Sequence, residues 1–178
     1  MKKLTILFIF FSTIVVAQQR AIKLNPIGFF YNGIELSYEE KIENNNSVEF
    51  SIATSKFNIN DDSNKNPFNA IGFELKYKFF TSGNNTTFEG FYIAPVGQFV
   101  DANRKQNNGG RKDNITQIGV GGIIGNQWII GNKNKPNGFV IDLHGGLQAN
   151  SVKAPVTIDV ENIKGLKVRL GISIGYSF

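Results

Sequence analysis

From residue 166 onward every second residue is apolar. Leu166, Val168, Leu170, Ile172, Ile174, Tyr176 and Phe178 alternate with Lys167, Arg169, Gly171, Ser173, Gly175 and Ser177. A period of two puts neighbouring side chains on opposite faces, so the segment predicts a β-strand with one apolar and one polar face. The pattern recurs upstream. Ile34, Leu36 and Tyr38 alternate with Glu35, Ser37 and Glu39, and Val48, Phe50 and Ile52 with Glu49, Ser51 and Ala53. Ile71, Phe73, Leu75, Tyr77 and Phe79 alternate with Gly72, Glu74, Lys76 and Lys78, and Phe139, Ile141 and Leu143 with Val140, Asp142 and His144. Two looser, glycine-rich segments (88–100 and 114–130) and a weaker one (21–30) bring the predicted strands to eight. No window after residue 17 carries a helical period.

The connections alternate in length. A near-hairpin at 30–33 is followed by a turn at 43–46, a longer loop at 58–68 and a turn at 81–86. A long loop at 101–113, a medium turn at 131–138 and the longest loop at 148–164 complete the series. Short turns on one side and long loops on the other predict an all-β, eight-stranded antiparallel up-and-down transmembrane β-barrel, with both termini on the short-turn side. The short first external loop breaks the rule. Pro26 and Pro95 fall inside predicted strands, where each removes a ladder donor, and mark bulges or strand ends.

Alternation does not say which face turns inward, because a soluble barrel alternates as well. Three features favour an apolar exterior. The polar face carries charges among Gly, Ser and Ala, which suits a narrow lumen. The strands reach the roughly nine to eleven residues that a tilted membrane strand needs. Threaded up and down, the aromatics sort into two levels. Tyr38, Tyr77, Phe79, Phe88, Phe91, Trp128, Phe139, Tyr176 and Phe178 fall near the periplasmic ends, and Phe29, Phe30, Tyr31, Phe57, Phe68 and Phe99 near the external ends. Two aromatic girdles around an aliphatic band are expected of a barrel in a bilayer.

The first residues agree with export. MKK precedes a run of 14 mostly apolar residues ending at Ala17, too short for a spanning helix, which needs roughly 20. Residues 1–17 therefore read as a cleaved signal peptide and 18–178 as the outer-membrane barrel domain. A first apolar strand is the alternative. Without Lys2 and Lys3 the basic residues fall from 19 to 17 against 14 acids, a net charge of +3 instead of +5. So mild and scattered an excess does not predict nucleic-acid binding. The chain has no cysteine, so neither a disulfide nor a lipidated cysteine is expected.

The closing residues RLGISIGYSF resemble the signal that the outer-membrane assembly machinery reads, with Tyr176 and the terminal Phe178 as its aromatics. Together with the leader and the loop pattern, the chain resembles the OmpA/OmpX-like family of small eight-stranded barrels. The stretch KLNPIGFFYNGIELSYEEKI is similar to members of that group whose function is uncharacterised. The resemblance implies a monomer inserted by that machinery, and no catalytic residues.

Candidate chemistry is sparse. His144, the single histidine, shares a face with Asp142, and such a pair with a serine would suit acyl transfer. The Gly-x-Ser-x-Gly spacing occurs only at 171–175, inside the last alternating strand and not at a strand-to-helix elbow, so a lumenal histidine among polar groups is the favoured reading. One histidine and no cysteine give no metal-ligand pattern. The run GVGGIIG lacks the lysine and helix of a phosphate loop, so no cofactor is expected. The inward face would hold Glu35, Glu39, Glu49, Glu74 and Asp142 with Lys23, Lys41, Lys76, Lys78, Lys167 and Arg169. In so narrow a barrel these charges must pair, which predicts a polar plug ahead of a small conducting pore. A hairpin centred on loop 58–68 would set Glu49 opposite Lys78 and join the two in a lumenal ion pair, with Lys41 as a candidate third member. Arg104, Lys105, Arg111 and Lys112 lie in the basic loop 101–113, a candidate contact for lipopolysaccharide phosphates, though a solvated idle loop is the plainer reading. The function expected is a non-enzymatic structural or surface-interaction barrel. The alternatives are an outer-membrane lipid-modifying enzyme and a soluble periplasmic lipocalin-like binder of apolar ligands.

Overall fold

A computed structural model describes residues 19–27, 32–42, 45–58, 66–81, 88–105, 112–131, 137–155, 158, 160–161 and 163–178. The expected leader, Phe29, Phe30, Tyr31 and Arg111 lie outside them. The elements are β1 (Arg20–Asn25), β2 (Gly33–Lys41), β3 (Asn46–Phe57), β4 (Phe68–Phe80), β5 (Gly90–Lys105), β6 (Lys112–Gly131), β7 (Gly138–Lys153) and β8 (Gly165–Ser177). Each strand pairs antiparallel with the next, and β1 pairs with β8 to close the barrel. The closing ladder runs from Ala21 opposite Ser177 to Leu24 opposite Ile174. At its end the Phe178 amide donates to the Arg20 carbonyl (2.8 Å), and the Arg20 amide donates to that of Phe178 (3.0 Å).

All eight expected strands are present, and two loops are shorter than expected. The β5–β6 ladder continues to Lys105 opposite Lys112, which narrows the loop at 101–113 to 106–111. β7 runs on to Lys153. Pro26 ends β1 in a short 3₁₀ turn. Pro95 stays within β5 and pairs with Gly122 of β6, while the β4–β5 ladder is interrupted between Val96 and Ile93. The missing proline N–H accounts for that break.

Parity decides the faces. Ile22, Leu36, Phe50, Leu75, Ile93, Val120, Leu143 and Leu170 point outward and are exposed. Lys23, Glu39, Glu49, Lys76, Lys78 and Asp142 point inward and are buried. The exterior is therefore apolar and the interior charged, the reverse of a soluble barrel.

One of the two expected aromatic levels is present. Tyr38, Phe79, Phe91, Trp128, Phe139, Tyr176 and Phe178 are exposed on the outer wall near the closing ends of β1 and β8, with Tyr77 half-buried among them. Phe88, expected with them, is buried inside. At the opposite end Phe68 is fully buried and Phe57 packs on it inside the barrel, their rings 5.6 Å apart. Phe57 and Phe68 lie at odd and even positions of strands whose outward residues are even and odd respectively, so both point inward. Of the expected external girdle, Phe99 alone among the described residues is exposed.

Candidate functional site

The lumen between the two ends is filled by side chains in layers. Nearest the chain ends, the Gln19 amide nitrogen donates to the Ser177 hydroxyl (2.9 Å), and its oxygen accepts from the Phe88 backbone amide (3.1 Å). Gln127 donates to the Phe88 carbonyl (2.9 Å). Phe88 packs with Phe80, Tyr92, Ile123 and Val140, so this end is stoppered by apolar residues held by two glutamines.

Above them lies the charged centre. The Lys23 ammonium donates to Glu39 (2.7 Å), Asp142 (3.0 Å) and Gln127 (3.2 Å), and also to Glu49. Lys78 reaches Asp142 (2.6 Å), Glu49 (2.7 Å), Gln127 (3.0 Å) and Glu39 (3.3 Å). Lys76 joins Glu49 (2.8 Å) to Glu74 (3.1 Å). The Ser47 hydroxyl donates to Glu39, and the Tyr92 hydroxyl to Asp142 (2.7 Å), with the Lys78 ammonium 4.6 Å from the Tyr92 ring centre. Lys23, Lys76 and Lys78 balance Glu39, Glu49 and Asp142, and Glu74 is balanced by Arg169 of the next layer. Each ion holds several partners, which is the condition under which buried charges are tolerated. Oxygens of Glu39, Glu49 and Asp142 lie within 4.8 Å of one another, close enough for metal ligation. Lys23 and Lys78 already supply the positive charge among them.

A second layer crosses the lumen. Arg169 of β8 donates to Gln148 of β7 and pairs with Glu74 of β4, both at 2.5 Å. Gln148 donates to Gln98 of β5 (2.8 Å), and Gln98 to Glu74 (3.4 Å). Beside this belt a cavity of about 160 Å³ is lined by Glu35, Ser51, Ser55, Glu74 and Gln98 among others. Glu35 accepts from the Asn25 amide (2.9 Å). Farther out, Phe68, Ala70, Ala102, Ile115 and Ile158 form an apolar plug that closes the other end.

Of the expected lumenal residues, Glu39, Glu49, Lys76, Lys78 and Asp142 meet in one cluster. Glu74 and Arg169 pair in the belt, and Glu35 stands apart with Asn25. Lys41 is buried near the end of β2, opposite Ser47. His144 Nδ1 lies 3.7 Å from Asp142 Oδ1 and makes no hydrogen bond. Its ring occupies space left by Gly171, where a Cβ would come within 2.3 Å of Nε2. Ser173 faces Asp142 across the β7–β8 ladder, but no hydrogen bond joins it to His144, and Tyr92 takes the carboxylate oxygen nearest the ring.

Two expectations are corrected. Glu49 stands opposite Lys76, not Lys78, because β3 and β4 pair from Phe57 opposite Phe68. The hairpin is thus centred one residue earlier than expected. Arg104 does not belong to an external loop. It is buried on β5, 2.9 Å from Asp113 and over the Phe68 ring. Lys105 and Lys112 form the last ladder pair of that hairpin. Tyr92, Gln98, Gln127 and Gln148 were missed, since they sit on glycine-rich or loosely patterned strands. Parity counted from Phe91, Trp128 and Leu147 would have turned them inward.

Residues 3–138 match the model of the family described as "Protein of unknown function (DUF3575)", and the chain belongs to that family. No curated protein and no solved structure matches it.

Proposed function

We propose that this member of the DUF3575 family is an outer-membrane β-barrel. Its role is structural or one of surface interaction, with no enzymatic function and a lumen plugged by polar side chains. The observation that carries this reading is the inverted wall: aliphatic and aromatic side chains face out on all eight strands, and the ion pairs face in. In water such a surface would expose a continuous apolar belt far larger than the few hundred Å² tolerated by monomers. In a bilayer it is the required surface, and closure of the barrel satisfies the backbone. On β4 the outward residues from Ile71 to Phe79 are apolar, bounded by Asn69 and Thr81. At ~3.3 Å per residue and a tilt of ~40°, that makes a band of roughly 20–30 Å, against the ~25 Å of membrane barrels.

The outward aromatic row marks the periplasmic interface, where residues 1–17 would have delivered the chain after leader cleavage. The closing residues and the short-turn pattern, which resemble OmpA/OmpX-like barrels, support insertion by the assembly machinery and a monomeric state. Lipopolysaccharide contact falls to the rim, where Lys56 and Lys153 are exposed. A lipocalin-like binder would need an apolar cavity, whereas the interior holds charges, amides and packed aromatics.

The test is fractionation of expressing cells, followed by electrophoresis with and without boiling. A membrane-bound species that resists SDS and changes its mobility on boiling is expected. A soluble protein with one mobility in both states would overturn the reading.

A further inference from the structure

Among the described residues of the outer wall, Asn126 is a polar side chain with apolar neighbours on all four sides. Asn126 lies between Ile124 and Trp128 on the outward face of β6, with Phe91 of β5 and Leu143 of β7 as its lateral partners. Other polar residues on the described outer face keep to its margins. Arg20 and Glu40 lie at one end, and Thr54, Lys56, Asp101, Thr116 and Ser151 at the other. Asn126 is half-buried, and its amide makes no hydrogen bond to a described residue. An unpaired amide at membrane depth is costly, and such residues mark functional contacts.

Asn126 opens onto a groove of about 500 Å³ in the outer wall, lined by Ile27, Phe91, Ile124 and Leu170 among others. Gly145 contributes no side chain there, so part of the groove is bare backbone. We propose that this groove holds one acyl chain of a glycerophospholipid, whose ester carbonyl accepts a hydrogen bond from the Asn126 Nδ2. The proposal rests on the membrane reading above.

Three features select this occupant. The lining is shallow and mostly apolar, with Asn126 and His144 as its polar members, and a flexible acyl chain follows such a surface more closely than the rigid wall of a second barrel. Asn126 stands two residues from Trp128, a member of the aromatic row that marks interfacial depth, so its amide lies near the level of the ester linkages. A diacyl lipid offers carbonyl acceptors at that level and no donors, which complements an amide N–H.

The test reconstitutes the full chain into vesicles of diester and diether phosphatidylcholine, mixed equally and matched in chain length. The protein is then released in mild detergent and its retained lipid weighed by native mass spectrometry. The parent should retain one phospholipid and prefer the diester roughly five-fold, the ratio given by one net hydrogen bond of about 1 kcal/mol. Asn126→Leu should keep the lipid and lose the preference. Gly145→Leu should lose the lipid; its Cβ first meets the mobile end of Leu170, 3.2 Å away, so the fold can accept it. Gly122→Leu, at an open position outside the groove lining, should behave as the parent. An inserted parent without retained lipid, or an Asn126→Leu variant that still prefers the diester, overturns the proposal. So does a dimer mass that depends on Asn126, which would assign the face to a second copy. A chain that fails to insert at all overturns the membrane reading and this one with it.

Discussion

Glu49 of β3 stands opposite Lys76 of β4, and its carboxylate also takes the ammonium of Lys78, two residues farther along, at 2.7 Å. One acid thus serves both lysines and Lys23, so its loss leaves the centre short of negative charge. Glu49→Gln should lower stability by about 3–5 kcal/mol, the cost of leaving a buried charge uncompensated. Lys76→Met alone should cost a similar amount. The double variant, which restores neutrality, should be more stable than the sum of the two losses implies. Urea unfolding of the detergent-folded barrel gives all three values; strictly additive losses would refute coupling through Glu49.

The strands and the sorting of charge from apolar surface are legible because both follow from a two-residue period, clear in five segments and looser in the other three. The errors came where another rule replaced parity. Height in the strand places Phe57, Phe68 and Phe88 in girdles, although parity alone turns the first two inward. The composition around Arg104, DANRKQNNGGRKD, is that of a loop. Continuing the alternation beyond Phe99 sends Arg104 to the lumen beside Asp113. The register between β3 and β4 depends on turn geometry in the 58–68 loop, which carries no alternation to count. The expected ion pair of Glu49 with Lys78 forms all the same, at 2.7 Å, because the Lys78 side chain reaches back across two positions, and Lys76 joins it as the direct ladder partner.

Glycine spacing in β6 and β7 makes a second prediction. A Cβ on Gly146 would lie 2.1 Å from the Gly122 carbonyl oxygen and 2.7 Å from the Ile123 Cα. Backbone atoms in a closed ladder cannot move aside, so Gly146→Ala should cost about 1–3 kcal/mol through overpacking. Gly122→Ala meets nothing within 4 Å and should stay within about 0.5 kcal/mol of the parent. Equal unfolding midpoints for the two variants would show that the strands separate more easily than this packing allows.

Ile158 supplies a third prediction. It is buried in the plug with Phe68 and Ile115, although it lies between β7 and β8 and not on a strand. Ile158→Asp places a carboxylate among apolar side chains and should expel the segment, leaving 154–164 open to protease. The Arg169–Glu74 belt and the lysine centre remain beneath it. Planar-bilayer conductance should therefore stay at the parent's level. A current that appears with Ile158→Asp would mean that the plug alone seals the lumen.

Phe178 separates the demands of folding from those of assembly. Its backbone closes the barrel through the two hydrogen bonds to Arg20, while its side chain lies exposed on the outer wall. Phe178→Asp keeps the backbone pair and removes the aromatic ring, so a closed barrel should still form in detergent with nearly the parental yield. Deletion of Phe178 removes the backbone pair as well and should lower that yield further, since unpaired edge groups are costly in an apolar medium. In cells both variants should insert poorly, because the closing aromatic resembles the element that the assembly machinery reads. The decisive quantity is the ratio of folded barrel in cells to folded barrel in detergent, taken for Phe178→Asp against the parent. A sharp fall in that ratio assigns the side chain to recognition during assembly. An unchanged ratio makes Phe178 an ordinary strand end that matters only for the two hydrogen bonds closing the sheet.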